Sequence, residues 1–117
     1  MLKKCKFYIN GQWVHPVDGT DHLVIDPSTE EPTTTISLGG QTDVDNAVAA
    51  AKAAFSGWTA TPVAKRIALV EKLVEIYDRR SEDIAKAMST EIGAPYDMSR
   101  TQQVGAGTWH LKNYVKA

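Results

Sequence analysis

From residue 42 to the end of the chain, apolar residues recur at spacings of three and four, and only a few residues interrupt them. That pattern commits about two-thirds of the chain to amphipathic helices. Val44, Ala47, Val48, Ala51, Phe55 and Trp58 mark one face of a first helix. Thr42 is its expected N-cap, and Asp43 and Asp45 fall in the first turn, where the helix dipole favours anions. Gly57 lies near its end. A second helix is expected to open with Thr61 as cap and Pro62 at its first position. Val63, Ile67, Val70, Val74 and Tyr77 form its inner line, and Leu69, Leu73 and Ile76 widen it. Ser81 is the expected cap of a third helix, which Gly93 ends and Pro95 blocks from continuing. A fourth begins near Asp97 and carries Val104, Leu111, Tyr114 and Val115.

The first third reads differently. Asn10-Gly11 is a favoured pair for a two-residue type I′ hairpin, which needs positive φ at both positions. Lys6–Ile9 and Gln12–Val14 are its expected arms. Residues 22–26 (HLVID) and 33–38 (TTTISL) predict a second antiparallel pair across the turn-rich stretch DPSTEEP.

The length of 117 residues fits one domain, and a hydrophobic content of 43% with 23% charged residues fits a globular one. Net charge is −1, and residues 1–58 carry 4 basic and 7 acidic groups against 9 and 7 in residues 59–117. Such a balance leaves no footprint for nucleic acid or an anionic membrane. No apolar run is long enough to span a bilayer, and no apolar segment follows the basic N-terminus as a secretory signal requires. One cysteine excludes an intramolecular disulfide and fits a reducing compartment, so the expected location is cytoplasmic.

Local chemistry yields no catalytic constellation. Gly105-Ala106-Gly107 lacks the preceding strand and the third glycine of a dinucleotide loop, so a helix–helix close approach or a helix opening is the expected role. Cys5 sits among three lysines in a terminus expected to fray, with no histidine beside it, and reads as a free surface thiol. His15, His22 and His110 do not have metal-ligand spacing. Trp58 reads as core, and Trp13 and Trp109 as core or interface.

The order of segments carries more. YINGQWV, VIDPSTEE, TDVDNAVAAAKAAFSGW and AKRIALVEKLVEIYDRRSEDIAKAMSTEIGAP follow one another as in the N-terminal part of the aldehyde dehydrogenase superfamily, which the chain resembles from about Phe7 onward. The most specific pieces are the D-V-D-x-A-V helix at 43–58 and the E-x-G-x-P turn at 91–95. The resemblance implies an α/β fold: N-terminal β-hairpins (1–41) and about four helices (42–117), forming the first part of a Rossmann-like NAD(P)-binding domain. It implies oxidation of an aldehyde to a carboxylic acid with NAD or NADP. A cysteine thiolate attacks, hydride leaves to the nicotinamide, and a glutamate helps water release the thioester. A homo-oligomer, dimer or tetramer, is also implied.

None of the family's catalytic or cofactor-binding groups matches a residue of this chain, and Cys5 does not match the nucleophile. The expectation is a fragment, inactive alone. The alternative is a non-catalytic interaction module derived from the same family. Two carry-overs fall within the chain. A monovalent cation, Na or K, matches Val24 and Ile25 through carbonyls and Glu91 through its carboxylate, with the blander role of a helix-terminal acid open for Glu91. A substrate entrance matches Gln102 and Ala106, with plain packing open for Ala106. Glu30 departs from the family pattern by replacing a turn glycine that tolerates positive φ.

Overall fold

The computed structural model describes residues 1–116. They form two compact units, Met1–Ala60 and Thr61–Ala117.

The first unit holds five strands and one long helix. Strands β2 (Phe7–Ile9) and β3 (Gln12–Val14) make the antiparallel hairpin, with Tyr8 opposite Trp13. Asn10 has φ 51° and Gly11 φ 75°, as a type I′ turn demands. Strands β4 (Thr20–Asp26) and β5 (Glu31–Leu38) form the second antiparallel pair. A third member is new relative to the sequence reading: β1 (Leu2–Lys4) pairs parallel with β5, giving the order β1-β5-β4. The N-terminus is therefore tied down rather than frayed. Cys5 is half-buried, and its Sγ lies 3.6 Å from the Thr35 carbonyl it donates to.

Helix α1 (Gln41–Thr59) begins one residue before its expected cap, with Gly40 as the N-cap. Asp43 explains the difference. Its carboxylate accepts the Gly40 N–H at 3.1 Å and the Val17 N–H at 2.8 Å. The side chain reaches back to the cap as the acid of a capping box does. Thr42, released from capping, donates to Asp18 at 3.0 Å. Asp43 is 5% exposed, so one buried acid pins both the helix start and the loop before β4.

Which face of α1 meets the strands also differs from expectation. Asp43, Ala47, Ala50 and Ala54 share one face, and Ala47, Ala50 and Ala54 line grooves beneath the hairpin. The larger apolar residues lie about a quarter-turn away. Val44, Val48, Phe55 and Trp58 are all exposed, Trp58 at 46%, so Trp58 is not core. Short alanines let the hairpin backbone approach the helix, which bulky side chains would prevent. Trp13 and Trp109 are exposed as well.

The second unit is helical. Helix α2 (Val63–Arg79) starts after Pro62, which serves as N-cap in place of Thr61. Helix α3 (Ser81–Ile92) follows Arg80, so Ser81 is its first residue rather than its cap. Gly93, with φ 67°, closes α3 in the left-handed conformation that favours glycine. The expected fourth helix comes in three pieces: α4 (Tyr96–Met98), a π-helical turn at Ser99–Gln103 and α5 (Val104–Lys116). Val104 is 2% exposed and Val74 8%, and these anchor the small core between α2 and α5. Tyr114 points outward and does not join it.

Gly107 fixes how closely α5 packs on α2. A Cβ there would lie 2.2 Å from the Tyr77 hydroxyl, which itself donates to the Val104 carbonyl at 3.2 Å. Of the two readings open for Gly105-Ala106-Gly107, the close approach is the one observed.

Candidate functional site

Helices α4 and α5 and the π turn between them present the first candidate face. The π turn admits one extra residue per hydrogen-bonded ring, which turns the side chains after it. Ser99 is fully buried at its start, and its hydroxyl lies 3.3 Å from Gln103 Oε1. Thr101 donates to the Asp97 carbonyl at 2.6 Å, which holds the turn on its outer side. Gln102 and Ala106 are both exposed, four residues apart on one face. Trp109 continues that face, 64% exposed, with its ring edge-on to His110 at a centroid distance of 4.9 Å. The opposite side of α5 carries Val104, Gly107 and Thr108 toward α2, and Ala106 is exposed.

Electrostatics brace this unit from both ends. Thr108 donates to Asp78 Oδ1 at 2.7 Å, and Lys112 reaches Asp78 Oδ2 at 3.3 Å. The Thr108 hydrogen bond, more than the Lys112 charge, holds the Asp78 carboxyl below its ordinary value. Tyr96 donates to Glu82, and that carboxylate pushes the Tyr96 phenol above its ordinary value. A groove of about 420 Å³ between α2 and α5 has Val74 and Val115 in its wall and Glu71, Glu75 and Lys112 among its charged neighbours. It does not include Gln102 or Ala106.

The residues matched to a cation are split between the units. In the first unit, β5 carries an extra residue, Thr33, where the register shifts between Val24 and Ile25. Thr33 Oγ1 donates to the Val24 carbonyl at 3.3 Å. Ile25 faces Pro32, which has no N–H to give its carbonyl. Backbone carbonyl oxygens such as those of Val24 and Ile25 are the donor type a hard monovalent cation takes. In the second unit, Glu91 is the exposed penultimate residue of α3. Among the described residues, no group of three or more His, Cys, Asp or Glu side chains is placed to hold a metal ion.

A dinucleotide does not fit Gly105-Ala106-Gly107. These residues lie inside α5, where the backbone amides belong to the helix ladder instead of pointing at a phosphate. No helix among the described residues is long and apolar enough to cross a membrane.

Asp43 does more than complement the helix dipole, since it accepts from both the Gly40 and Val17 N–H groups. Its spacing of three from Gly40 was the available signal.

Comparison with known proteins agrees across methods. The sequence profile of the aldehyde dehydrogenase family matches residues 13–117. A 3-succinoylsemialdehyde-pyridine dehydrogenase from a Pseudomonas species is 41% identical over 107 residues, which are 91% of this chain and 22% of the relative. The crystal structure of an aldehyde dehydrogenase from Bartonella henselae superposes with a TM-score of 0.97 at 50% identity, covering 99% of this chain and 24% of that one. A mutant of aldehyde dehydrogenase C from Pseudomonas syringae, solved with NAD+ and octanal, superposes at 0.91 with 38% identity, covering 92% and 22%. The chain thus spans less than a quarter of the length of these relatives. With the family profile matched from residue 13 to 117 and 99% of the chain superposed on a member, the chain belongs to the aldehyde dehydrogenase family.

Proposed function

We propose that this chain supplies the N-terminal part of the NAD(P)-binding domain of a cytoplasmic aldehyde dehydrogenase that oxidises aldehydes to carboxylic acids. The observation that carries the reading is the superposition of 99% of the chain on less than a quarter of the Bartonella henselae enzyme. Bound NAD or NADP supplies the hydride acceptor, and no residue of this chain is assigned to it. Cys5, the sole cysteine, donates to the Thr35 carbonyl within β5, and among the described residues no basic side chain is hydrogen-bonded to it as a nucleophile requires. The 117-residue chain is therefore inactive by itself. Purified chain mixed with NAD or NADP and an aliphatic or aromatic aldehyde should form no reduced cofactor above a protein-free control. Turnover that co-purifies with the chain overturns the reading.

Within that enzyme, Gln102 and Ala106 line the approach of the aldehyde, and the shared exposed face of the π turn and α5 supports this. Na or K binds the Val24 and Ile25 carbonyls and the Glu91 carboxylate, a role supported by the bulge opposite Pro32. Sodium or potassium should then raise the thermal midpoint relative to choline at equal ionic strength, by mass action on the folded state. Glu91→Ala should abolish the difference. An equal rise in the variant removes Glu91 from the site.

A second reading has the chain acting as a non-catalytic module that binds another subunit, or forming the dimer or tetramer contact. The exposed Val44, Val48, Phe55 and Trp58 on α1 favour it. A coding frame that ends after Ala117 in the source genome favours this module over the enzyme fragment.

A further inference from the structure

The tip of the β2–β3 hairpin combines three features, the first two of which no other asparagine in the chain has. The chain holds three asparagines, Asn10, Asn46 and Asn113, and all three are exposed. Exposure therefore does not separate them. Their neighbours do: Gly11 follows Asn10, whereas Ala47 and Tyr114 follow the others. Backbone state separates them further. Asn46 and Asn113 lie inside α1 and α5, where the next N–H is held by the helix ladder. Asn10 instead occupies the left-handed region at φ 51°, in a turn between strands of three residues each. Such a short hairpin opens readily in water.

Space is the third feature. Apart from Gly11 and its two chain neighbours, no atom lies within 4 Å of where a Cβ on Gly11 would stand. Asn10 borders two grooves against α1, of about 370 and 620 Å³, the larger of which Asn46 also borders, so the Asn10 side chain has room to swing.

We propose that Asn10-Gly11 is a site of spontaneous deamidation, with hydroxide as base and water as co-reactant. When the tip opens, hydroxide takes the Gly11 amide proton and the nitrogen attacks the Asn10 side-chain amide carbon. A C–N bond forms in a five-membered imide, the bond to the side-chain nitrogen breaks, and ammonia leaves, taking a proton from water. Water then adds to either imide carbonyl and cleaves its C–N bond to the ring nitrogen. Cleavage at the side-chain carbonyl gives aspartate, and cleavage at the main-chain carbonyl gives isoaspartate. The net change is one water consumed and one ammonia released, with no redox step. Isoaspartate lengthens the main chain by one methylene inside a two-residue turn. The Ile9–Gln12 and Tyr8–Trp13 pairs then lose their register, and the hairpin loosens from the alanine face of α1.

The test is to incubate the intact chain at mildly alkaline pH and cut it after its glutamates. Residues 1–30 hold Asn10 alone among the three asparagines. That fragment should gain about 1 Da, at least about tenfold more often than the fragments holding Asn46 or Asn113, because glycine alone leaves the attacking nitrogen unshielded. Tandem spectra should place the gain on residue 10, with an isoaspartyl product that an isoaspartyl methyltransferase labels. Asn10→Gln should remove both signals. Equal conversion at Asn46 or Asn113, a mass gain on residues 1–30 that persists in Asn10→Gln, or an unchanged Asn10 under conditions that convert a short peptide of residues 7–14 would each overturn the proposal.

Discussion

The two units of this chain are held together by different chemistry. The first rests on a buried carboxylate: Asp43 gathers the N–H groups of Val17 and Gly40 and so seats α1 against strands through alanines. The second rests on close approach: Gly107 gives Tyr77 room beside α5, and Val74 and Val104 fill what remains. One unit depends on satisfying polar groups, the other on the absence of a side chain. Each should fail in its own way.

Asp43→Ala should have the largest effect. It strands two part-buried N–H groups that had a charged acceptor, and should cost about 3 kcal/mol. Urea unfolding measures the loss, and hydrogen exchange locates it. Protection should fall in residues 1–60 and persist on α2 and α5. Equal loss across both units would erase the contrast drawn above.

Gly107→Ala comes next. The new methyl meets the Tyr77 ring, and moving an aromatic side chain in a packed contact should cost about 2 kcal/mol. Here the exchange pattern should invert, with α2 and α5 losing protection first. Tyr77→Leu in the same chain should recover part of the loss.

Glu30→Gly should act in the opposite direction and more weakly. Glu30 holds φ 61° while its N–H bonds the Asp26 carbonyl at 2.8 Å. Glycine relieves the left-handed strain and loses some to a freer unfolded chain, for a net gain of about 0.5–1 kcal/mol. A higher urea midpoint with an unchanged slope would confirm it, and a lower midpoint would show that the turn is not strained.

Smallest is the acid response of Asp78. Its folded pKa is depressed, first by the Thr108 hydroxyl and then by Lys112. A depressed carboxyl stabilises the fold above its unfolded pKa, and that contribution fades as pH falls through the folded value. The window therefore lies below the ordinary aspartate range, near 4 and under. Thr108→Val should raise the Asp78 titration toward that range in carboxyl carbon spectra, and the small loss of stability should be present at neutral pH and vanish in acid.

Much of this architecture could be read from the sequence where the signal was local. Asn10-Gly11 specified its turn, Gly93 its helix end, and Glu30 kept the positive φ that a glycine would have taken. What escaped reading depended on partners distant in the chain. Periodicity located α1 but not the face that docks, since Val44, Val48, Phe55 and Trp58 form the larger stripe while the alanines make the contact. The π turn has no composition of its own; it buries Ser99 while Gln102 stays exposed. For the candidate site, Gln102, Ala106, Val24, Ile25 and Glu91 came from family likeness. The bulge beside Val24 and Ile25 emerged only from the register. Strand β1 was unreadable, being three residues with two lysines whose partner lies about thirty positions away.

That short strand has a practical consequence. While Leu2–Lys4 are in place, β5 is the central strand of its sheet. Trimming the first four residues, or forcing them aside with a bulky tag, would make β5 an edge. It would uncover a β-branched run, Thr33 to Ile36, with unpaired backbone groups. Such a run recruits strands from other molecules. The choice of N-terminus in an expression plasmid would then decide between a clear solution and a precipitate.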